Sequence, residues 1–119
     1  MSQILIVGRE WKFRALVRAE LRELGYEALG AETLDEAGKW IAASTEVPAA
    51  IVCDLAESDD PGRDLDQLEL LARRVPVVLL ASRASVPDPE ALPKGLSVLY
   101  RPLSVADVVR EVRARIEAR

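Results

Sequence analysis

The sequence predicts a single α/β domain built on a doubly wound parallel sheet, and three observations support this fold class. The chain has 119 residues, which is the size of one domain. Short aliphatic runs without polar alternation recur along it, as in strands that are covered on both faces. Amphipathic segments separate these runs, and such alternation favours parallel strands joined by right-handed helical crossovers.

The composition excludes several classes of function. A net charge of −4 from 16 basic and 20 acidic residues, well mixed along the chain, argues against nucleic-acid binding by this domain. The absence of histidine removes Ser/His and Cys/His catalysis, and we expect no enzymatic activity. The single cysteine, Cys53, excludes an internal disulfide and suits a reducing compartment. No apolar run is nearly long enough to span a membrane, so we expect a cytoplasmic protein without membrane contact.

The chain begins with a strand, a helix and a second strand. The aliphatic run Gln3–Val7 predicts the first strand. A helix is expected to begin near Trp11, since apolar residues then recur at three- and four-residue steps. Gly25 is expected to close this helix, because glycine is common just after a helix end. The short apolar stretch 26–31 predicts the second strand.

The central part of the chain carries the first functional candidate. Thr33 and Glu36 have the spacing of a capping box and predict a second helix that runs to about Ser44. The apolar run 48–56 predicts a strand buried on both faces, and it delivers a single carboxylate, Asp54, at its end. Ligands of open α/β sheets bind beyond the carboxyl ends of the strands, which places Asp54 where recognition or chemistry is expected.

The second half of the chain repeats the alternation. Asp64 is expected to cap a third helix that ends at Arg74, before the buried strand Val77–Ala81. The stretch 85–95 contains three prolines and leaves room for at most about two helical turns, so a fourth helix would be short or distorted.

The chain ends with a strand and a helix. The fifth strand is predicted over 97–101, where Pro102 stops it. Ser104 and Asp107 then open a last helix with a valine-rich apolar stripe.

This pattern predicts a flavodoxin-like sheet with the strand order 2-1-3-4-5 and helices on both faces. The switch point of that order brings together the carboxyl ends of the first and third strands. The residues expected in or beside one cleft are Gly8, Arg9, Glu10, Asp54, Ala81, Ser82 and Arg101.

The single domain predicted over 1–119 resembles, over nearly all of its length, a receiver domain of bacterial two-component response regulators. The segments that carry the resemblance are Ile-Leu-Ile-Val at 4–7, the stretch 25–32, Ile-Val-Cys-Asp at 51–54, the stretch 76–81, and Tyr-Arg-Pro-Leu at 100–103. Their order and spacing along the chain make the resemblance specific. It implies that Asp54 stands at the position of the phosphoryl-accepting aspartate.

The resemblance also implies that the pocket around Asp54 is degenerate. Receivers carry an acidic pair for Mg²⁺ after the first strand, a hydroxyl residue after the fourth, and a lysine at the end of the fifth. Here the corresponding residues are Gly8 and Arg9, then Ala81 with Ser82 one place later, then Arg101. Only the aspartate is unchanged.

Mg²⁺ needs oxygen ligands, usually carboxylates together with phosphate and water. The oxygens that remain for it are those of Asp54, of the Glu10 carboxylate and of the Ala56 backbone. Glu10 falls one place beyond the acidic pair and fits a surface charge better. We therefore expect no cofactor, and Mg²⁺ only if phosphorylation is retained.

Two arginines approach Asp54 in this scheme. Arginine forms strong, often bidentate pairs with carboxylates, so we expect either Arg9 or Arg101 to pair with Asp54 and to take the place of the missing cation.

The resemblance implies further changes outside the pocket. The aromatic residue through which receivers relay their state would fall at Val98, not at the nearby Tyr100. The proline-rich stretch 85–95 replaces an element that receivers use for partner and dimer contacts.

The function expected from the sequence is a signalling interaction module that works without Mg²⁺-dependent phosphorylation. One alternative keeps Asp54 as an acceptor for a histidine kinase or a small phosphodonor. A second alternative is a flavodoxin-like small-molecule binder, although no glycine-rich phosphate loop is present. The expected partners are proteins, among them a histidine kinase or an output domain, and a homodimer is possible.

Overall fold

The computed structural model describes residues 3–118. Its strands are β1 (Gln3–Val7), β2 (Glu27–Ala31), β3 (Ala50–Asp54), β4 (Val77–Ala81) and β5 (Leu96–Tyr100). Its helices are α1 (Trp11–Glu23), α2 (Leu34–Ala43), α3 (Pro61–Leu71) and α4 (Val105–Glu117). The strands form one parallel sheet in the order β2-β1-β3-β4-β5, which confirms the predicted topology.

The core lies in two layers, one on each face of the sheet. All five residues of β3 and of β4 are buried, as the unbroken apolar runs predict for strands covered on both sides. Side chains alternate along each strand, so that Leu5 packs on the face of α2 and α3 while Ile4 packs on the face of α1 and α4. Each fully buried Leu or Ile side chain stabilises the fold by about 1.5–3 kcal/mol.

Helix α3 begins earlier than the sequence predicts. Asp60, not Asp64, is its N-cap, because the Asp60 carboxylate accepts the backbone N–H three residues further on. Pro61 is the first helical residue, a position where its missing N–H costs no hydrogen bond. The helix ends at Leu71 instead of Arg74, and hydrogen-bonded turns carry the chain onward.

The other predicted caps are present with one change. The Thr33 hydroxyl accepts the N–H of Glu36, but the Glu36 carboxylate accepts the N–H of Glu32 rather than that of Thr33. The box at α4 is complete, since Ser104 and Asp107 each accept the backbone N–H of the other.

Three strands differ from their predicted bounds. β2 begins at Glu27, one residue later than predicted, and β3 covers only Ala50–Asp54 of the predicted run 48–56. β5 covers Leu96–Tyr100 instead of 97–101. Arg101 still donates its N–H to the carbonyl of Ala81 at 3.0 Å, but it lies beyond the end of the strand, directly before Pro102.

The stretch between β4 and β5 contains only the 3₁₀ turn Pro89–Ala91 as a regular element, as predicted for a short or distorted fourth helix. Gly95 ends this stretch with a φ of +89°, and a Cβ there would lie 2.5 Å from the carbonyl oxygen of Ala72. Only glycine fits this position without strain. Within residues 3–118, none of the helices has the length and apolar character needed to cross a membrane.

Candidate functional site

Asp54 ends the central strand β3 and is the one buried polar or charged residue of the described core, at 9% exposure. Gly8, at the end of the neighbouring strand β1, lies directly against it. A Cβ at Gly8 would come 2.9 Å from the Cβ of Asp54, closer than such atoms approach in proteins. The small residue at position 8 therefore permits the close approach of the two strand ends.

Both carboxylate oxygens of Asp54 have hydrogen-bond donors. Nη2 of Arg101 lies 2.5 Å from Oδ2, and the backbone N–H of Ala56 donates to Oδ1 at 2.9 Å. The Asp54 side chain is 7% exposed and that of Arg101 is 34% exposed. Such a charge-assisted pair, shielded on one side from water, is stronger than a pair on the open surface.

The end of β4 lies beneath this ion pair. Ala81 is buried and contributes its carbonyl to the Arg101 N–H, so it fixes the backbone from which the guanidinium extends. Ser82 is exposed, and its hydroxyl bonds to the N–H and the hydroxyl of Ser85, both at 3.3 Å. The Ser82 hydroxyl thus stabilises the loop after β4.

Arg9 does not pair with Asp54. Its guanidinium lies 2.7 Å from the carboxylate of Asp59, and both side chains are exposed, at 38% and 82%. The expectation that one of the two arginines pairs with Asp54 is met by Arg101 alone.

Glu10 is the N-cap of α1. Its carboxylate accepts the N–H of Phe13 at 2.7 Å, which satisfies one of the free donors at the start of the helix. This role accounts for an acidic residue at position 10 without a metal.

A cleft of about 110 Å³ lies beside Asp54, between the ends of β1 and β3 and the first turns of α2 and α3. Its charged lining residues are Arg9, Glu32, Asp35, Asp54, Asp59, Asp60, Arg63 and Asp64. Arg63 reaches across from α3 to Asp35 of α2 at 3.4 Å. The sequence reasoning missed Arg63 and Asp35, although both lie in first turns of helices that follow neighbouring strands.

Cys53 also lines this cleft. Burial raises the pKa of its thiol, and the charges of Asp64 and Asp54 raise it further. These effects favour the neutral thiol over the thiolate, which is the form that binds metals and acts as a nucleophile.

The residues around Asp54 do not fit Mg²⁺. The ion takes oxygen ligands, whereas Gly8 and Arg9 offer no side-chain oxygen and the Asp54 carboxylate already accepts two hydrogen bonds. Although six acidic residues line the cleft, no three of the His, Cys, Asp and Glu side chains within residues 3–118 are placed to hold a metal.

No protein-family model and no curated protein matches the sequence. Solved structures do match the fold. A response regulator receiver domain protein from Clostridium thermocellum superimposes with a TM-score of 0.80 at 17% identity, over 99% of this chain and 96% of that one. The receiver domain of the Francisella response regulator 1452 gives 0.77 at 21% identity, over 99% and 98% of the two chains. The receiver domain of the hybrid histidine kinase CckA gives 0.74 at 23% identity, over 97% and 99%.

These similarities extend over nearly the whole chain, and the order of its five parallel strands matches the flavodoxin-like receiver fold. The chain therefore has the fold of a response regulator receiver domain.

Proposed function

We propose that this domain is a receiver-like signalling module that acts through protein contacts, without Mg²⁺-dependent phosphorylation of Asp54. The observation that carries the proposal is the ion pair between Arg101 and Asp54. The guanidinium of Arg101 is bonded to the same Asp54 carboxylate that would have to attack a phosphoryl donor. In this proposal the domain is not an enzyme, and its output depends on a pocket held in one charge state.

The charges around Asp54 support this proposal. Phosphorylation would replace the single negative charge of the Asp54 carboxylate with the roughly 1.5 to 2 negative charges of a phosphoryl group at neutral pH, and a bound metal normally offsets such charge during phosphoryl transfer. Arg101 is the one cation in contact with Asp54 among residues 3–118, while Arg9 is engaged by Asp59. The six acidic residues of the cleft would repel a phosphodonor as well.

The alternative in which Asp54 still accepts a phosphoryl group also has an observation in its favour. Arginine binds phosphate as readily as carboxylate, so Arg101 could move from Asp54 to a phosphoryl group attached to it. The small-molecule alternative is less well supported, because ligand pockets usually measure about 300–1,000 Å³. The cleft at Asp54 has about 110 Å³.

The partners that we propose are proteins of a two-component pathway, and one structural neighbour is itself part of a hybrid histidine kinase. A histidine kinase or an output domain would recognise the surface of this domain in its single state. We also propose a cytoplasmic location, because the proposed partners are proteins of this pathway.

The test is a Mg²⁺ titration followed by NMR at the amide of Ala56, which bonds directly to Asp54. We expect the Ala56 resonance of the wild-type domain to stay in place up to millimolar Mg²⁺. The Asp54→Asn variant is the control, since it removes the charge that a cation would need. A saturable shift in the wild type that is lost in Asp54→Asn would contradict the proposal.

A further inference from the structure

The two edges of the sheet are protected to different degrees. At β2, the carbonyl of Ala31 accepts the N–H of Gly8 after β1, so the carbonyls of Ala28 and Gly30 point outward. Arg18 of α1 donates its Nε–H to the Ala28 carbonyl at 2.9 Å. An arginine thus satisfies an outward-facing group of β2, which is one way in which proteins protect an exposed strand.

On the other edge strand, β5, no side chain within residues 3–118 bonds to an outward-facing backbone group. The Gly95 carbonyl and the Arg101 N–H bond toward β4, so the backbone groups of the even-numbered residues between them point away from the sheet. The N–H of Leu96 donates to Pro93 at 3.3 Å. The outward N–H and C=O of Val98 and of Tyr100 have no hydrogen-bond partner among residues 3–118.

The composition of β5 also leaves it open to pairing. Its sequence, Leu-Ser-Val-Leu-Tyr, contains no charge, proline or glycine, and its Val98 and Tyr100 are of types that favour strands. The neighbouring helix α4 packs on β3, β4 and α1, and the stretch before β5 has only a 3₁₀ turn. Val86 and Arg83 contact the side chain of Tyr100, through its hydroxyl and its ring, and leave its backbone free.

We propose that β5 pairs with β5 of a second copy of this chain, in the antiparallel direction and centred on Val98. In this register Val98 lies opposite its symmetry mate, and Leu96 lies opposite Tyr100 of the second copy. Apart from the Leu96 N–H, which bonds to Pro93, the backbone groups of these residues point outward, as a hydrogen-bonded antiparallel pair requires. The two sheets then join into one continuous sheet.

The hydrogen bonds of this dimer follow from the register. The Val98 N–H donates to the Val98 carbonyl of the other copy, and the Tyr100 N–H donates to the Leu96 carbonyl. By the two-fold symmetry each bond occurs twice. The Leu96 N–H keeps its intramolecular partner, Pro93.

A second copy fits this edge because the edge is complementary to itself. Leu96, Val98 and Tyr100 continue one apolar face across the two-fold axis, and Ser97 meets Leu99 on the other face. The flanking cations do not oppose each other, since Lys94 lies opposite Pro102, and Arg101 lies opposite Gly95. Two-fold dimers with such isologous interfaces are the most common protein oligomers.

The decisive test is amide hydrogen exchange resolved by residue and measured from micromolar to millimolar protein, with light scattering at the same concentrations. We expect the mass to rise from 13.1 kDa to twice that value as concentration increases. The amides of Val98 and Tyr100 should become protected in step with the mass. Those of Ser97 and Leu99 should be protected at every concentration, because they bond to β4.

A proline variant separates backbone pairing from side-chain packing. Val98→Pro removes an N–H that faces away from β4, so the sheet keeps its internal bonds and the dimer should be lost. Val98→Ala keeps the N–H and should still form the dimer. If Val98→Pro does not fold, the exchange pattern of the wild type still decides the matter.

Three results would overturn this proposal. The first is a monomer throughout the concentration range, which would leave β5 for the strand of a different protein. The second is a dimer whose formation does not protect Val98 and Tyr100. The third is a Val98→Pro variant that folds and dimerises like the wild type. The proposal concerns the edge of β5 and does not depend on the chemistry of Asp54.

Discussion

The guanidinium of Arg101 bridges to the carboxylate of Asp54 across the end of β4, with 2.5 Å between Nη2 and Oδ2. The two residues come from β3 and from the position after β5, and the small, buried residue Ala81 ends the strand between them. Asp54 is nearly enclosed, and this pair together with the N–H of Ala56 supplies hydrogen-bond donors to both of its carboxylate oxygens.

Loss of the Arg101 guanidinium should destabilise the fold. In Arg101→Ala the Asp54 carboxylate stays buried with one of its donors removed, and we expect the free energy of unfolding at pH 7 to fall by about 1–3 kcal/mol. Urea unfolding measures this change. The matched control is Arg9→Ala, which breaks an exposed ion pair and should cost at most about 1 kcal/mol. An equal loss of unfolding free energy in the two variants would show that the Asp54 pair stabilises the fold no more than an exposed ion pair does.

Two glycine-to-alanine changes should act in opposite directions. Gly8→Ala places a methyl group against the Cβ of Asp54, and overpacking of this kind costs about 1–3 kcal/mol. Gly38→Ala, on the exposed side of α2, meets no atom within 4 Å and should stabilise the helix by about 0.5–1 kcal/mol. Thermal and urea unfolding of both variants tests this contrast, and a stabilised Gly8→Ala would contradict the close approach of the two strand ends.

The capping box of α4 should make stability depend on pH. Hydrogen bonds from the backbone and side chain of Ser104 lower the pKa of Asp107 below its ordinary value of 3.8. The charged form is therefore favoured by folding, and its contribution is present above that value and disappears as the pH falls through the lower folded pKa. We expect Asp107→Asn to be less stable than the wild type at neutral pH and to converge with it in acid.

Urea midpoints at several pH values follow this convergence. Asp66→Asn, an exposed change on α3, is the control for the loss of one negative charge. A stability difference for Asp107→Asn that is the same at neutral and acidic pH would exclude the capping carboxylate as its origin.

Most of the fold could be predicted from the sequence because its signals are local. Buried runs such as Val77–Ala81 contain no polar residue, and this identifies strands covered on both faces. The boundaries were less predictable, since one local rule can compete with another. Pro61 has a turn-like neighbourhood in the sequence, yet in the structure it is the first residue of α3.

The candidate site was predictable only in part. The topology placed Asp54 and Gly8 together, and the preference of arginine for carboxylates limited the partner to Arg9 or Arg101. The choice between them depends on how far each side chain reaches and on competing acids, and in the structure Asp59 engages Arg9. No local pattern in the sequence indicates that contact, which joins residues fifty positions apart.

The most direct test of the central claim is the reaction of the intact domain with acetyl phosphate and Mg²⁺, followed by intact mass spectrometry. The ion pair between Asp54 and Arg101 predicts no phosphoryl adduct on the wild-type domain, with or without Mg²⁺, and none on the Asp54→Ala control. A stoichiometric adduct of one phosphoryl group that requires Mg²⁺ and is absent from Asp54→Ala would contradict the claim.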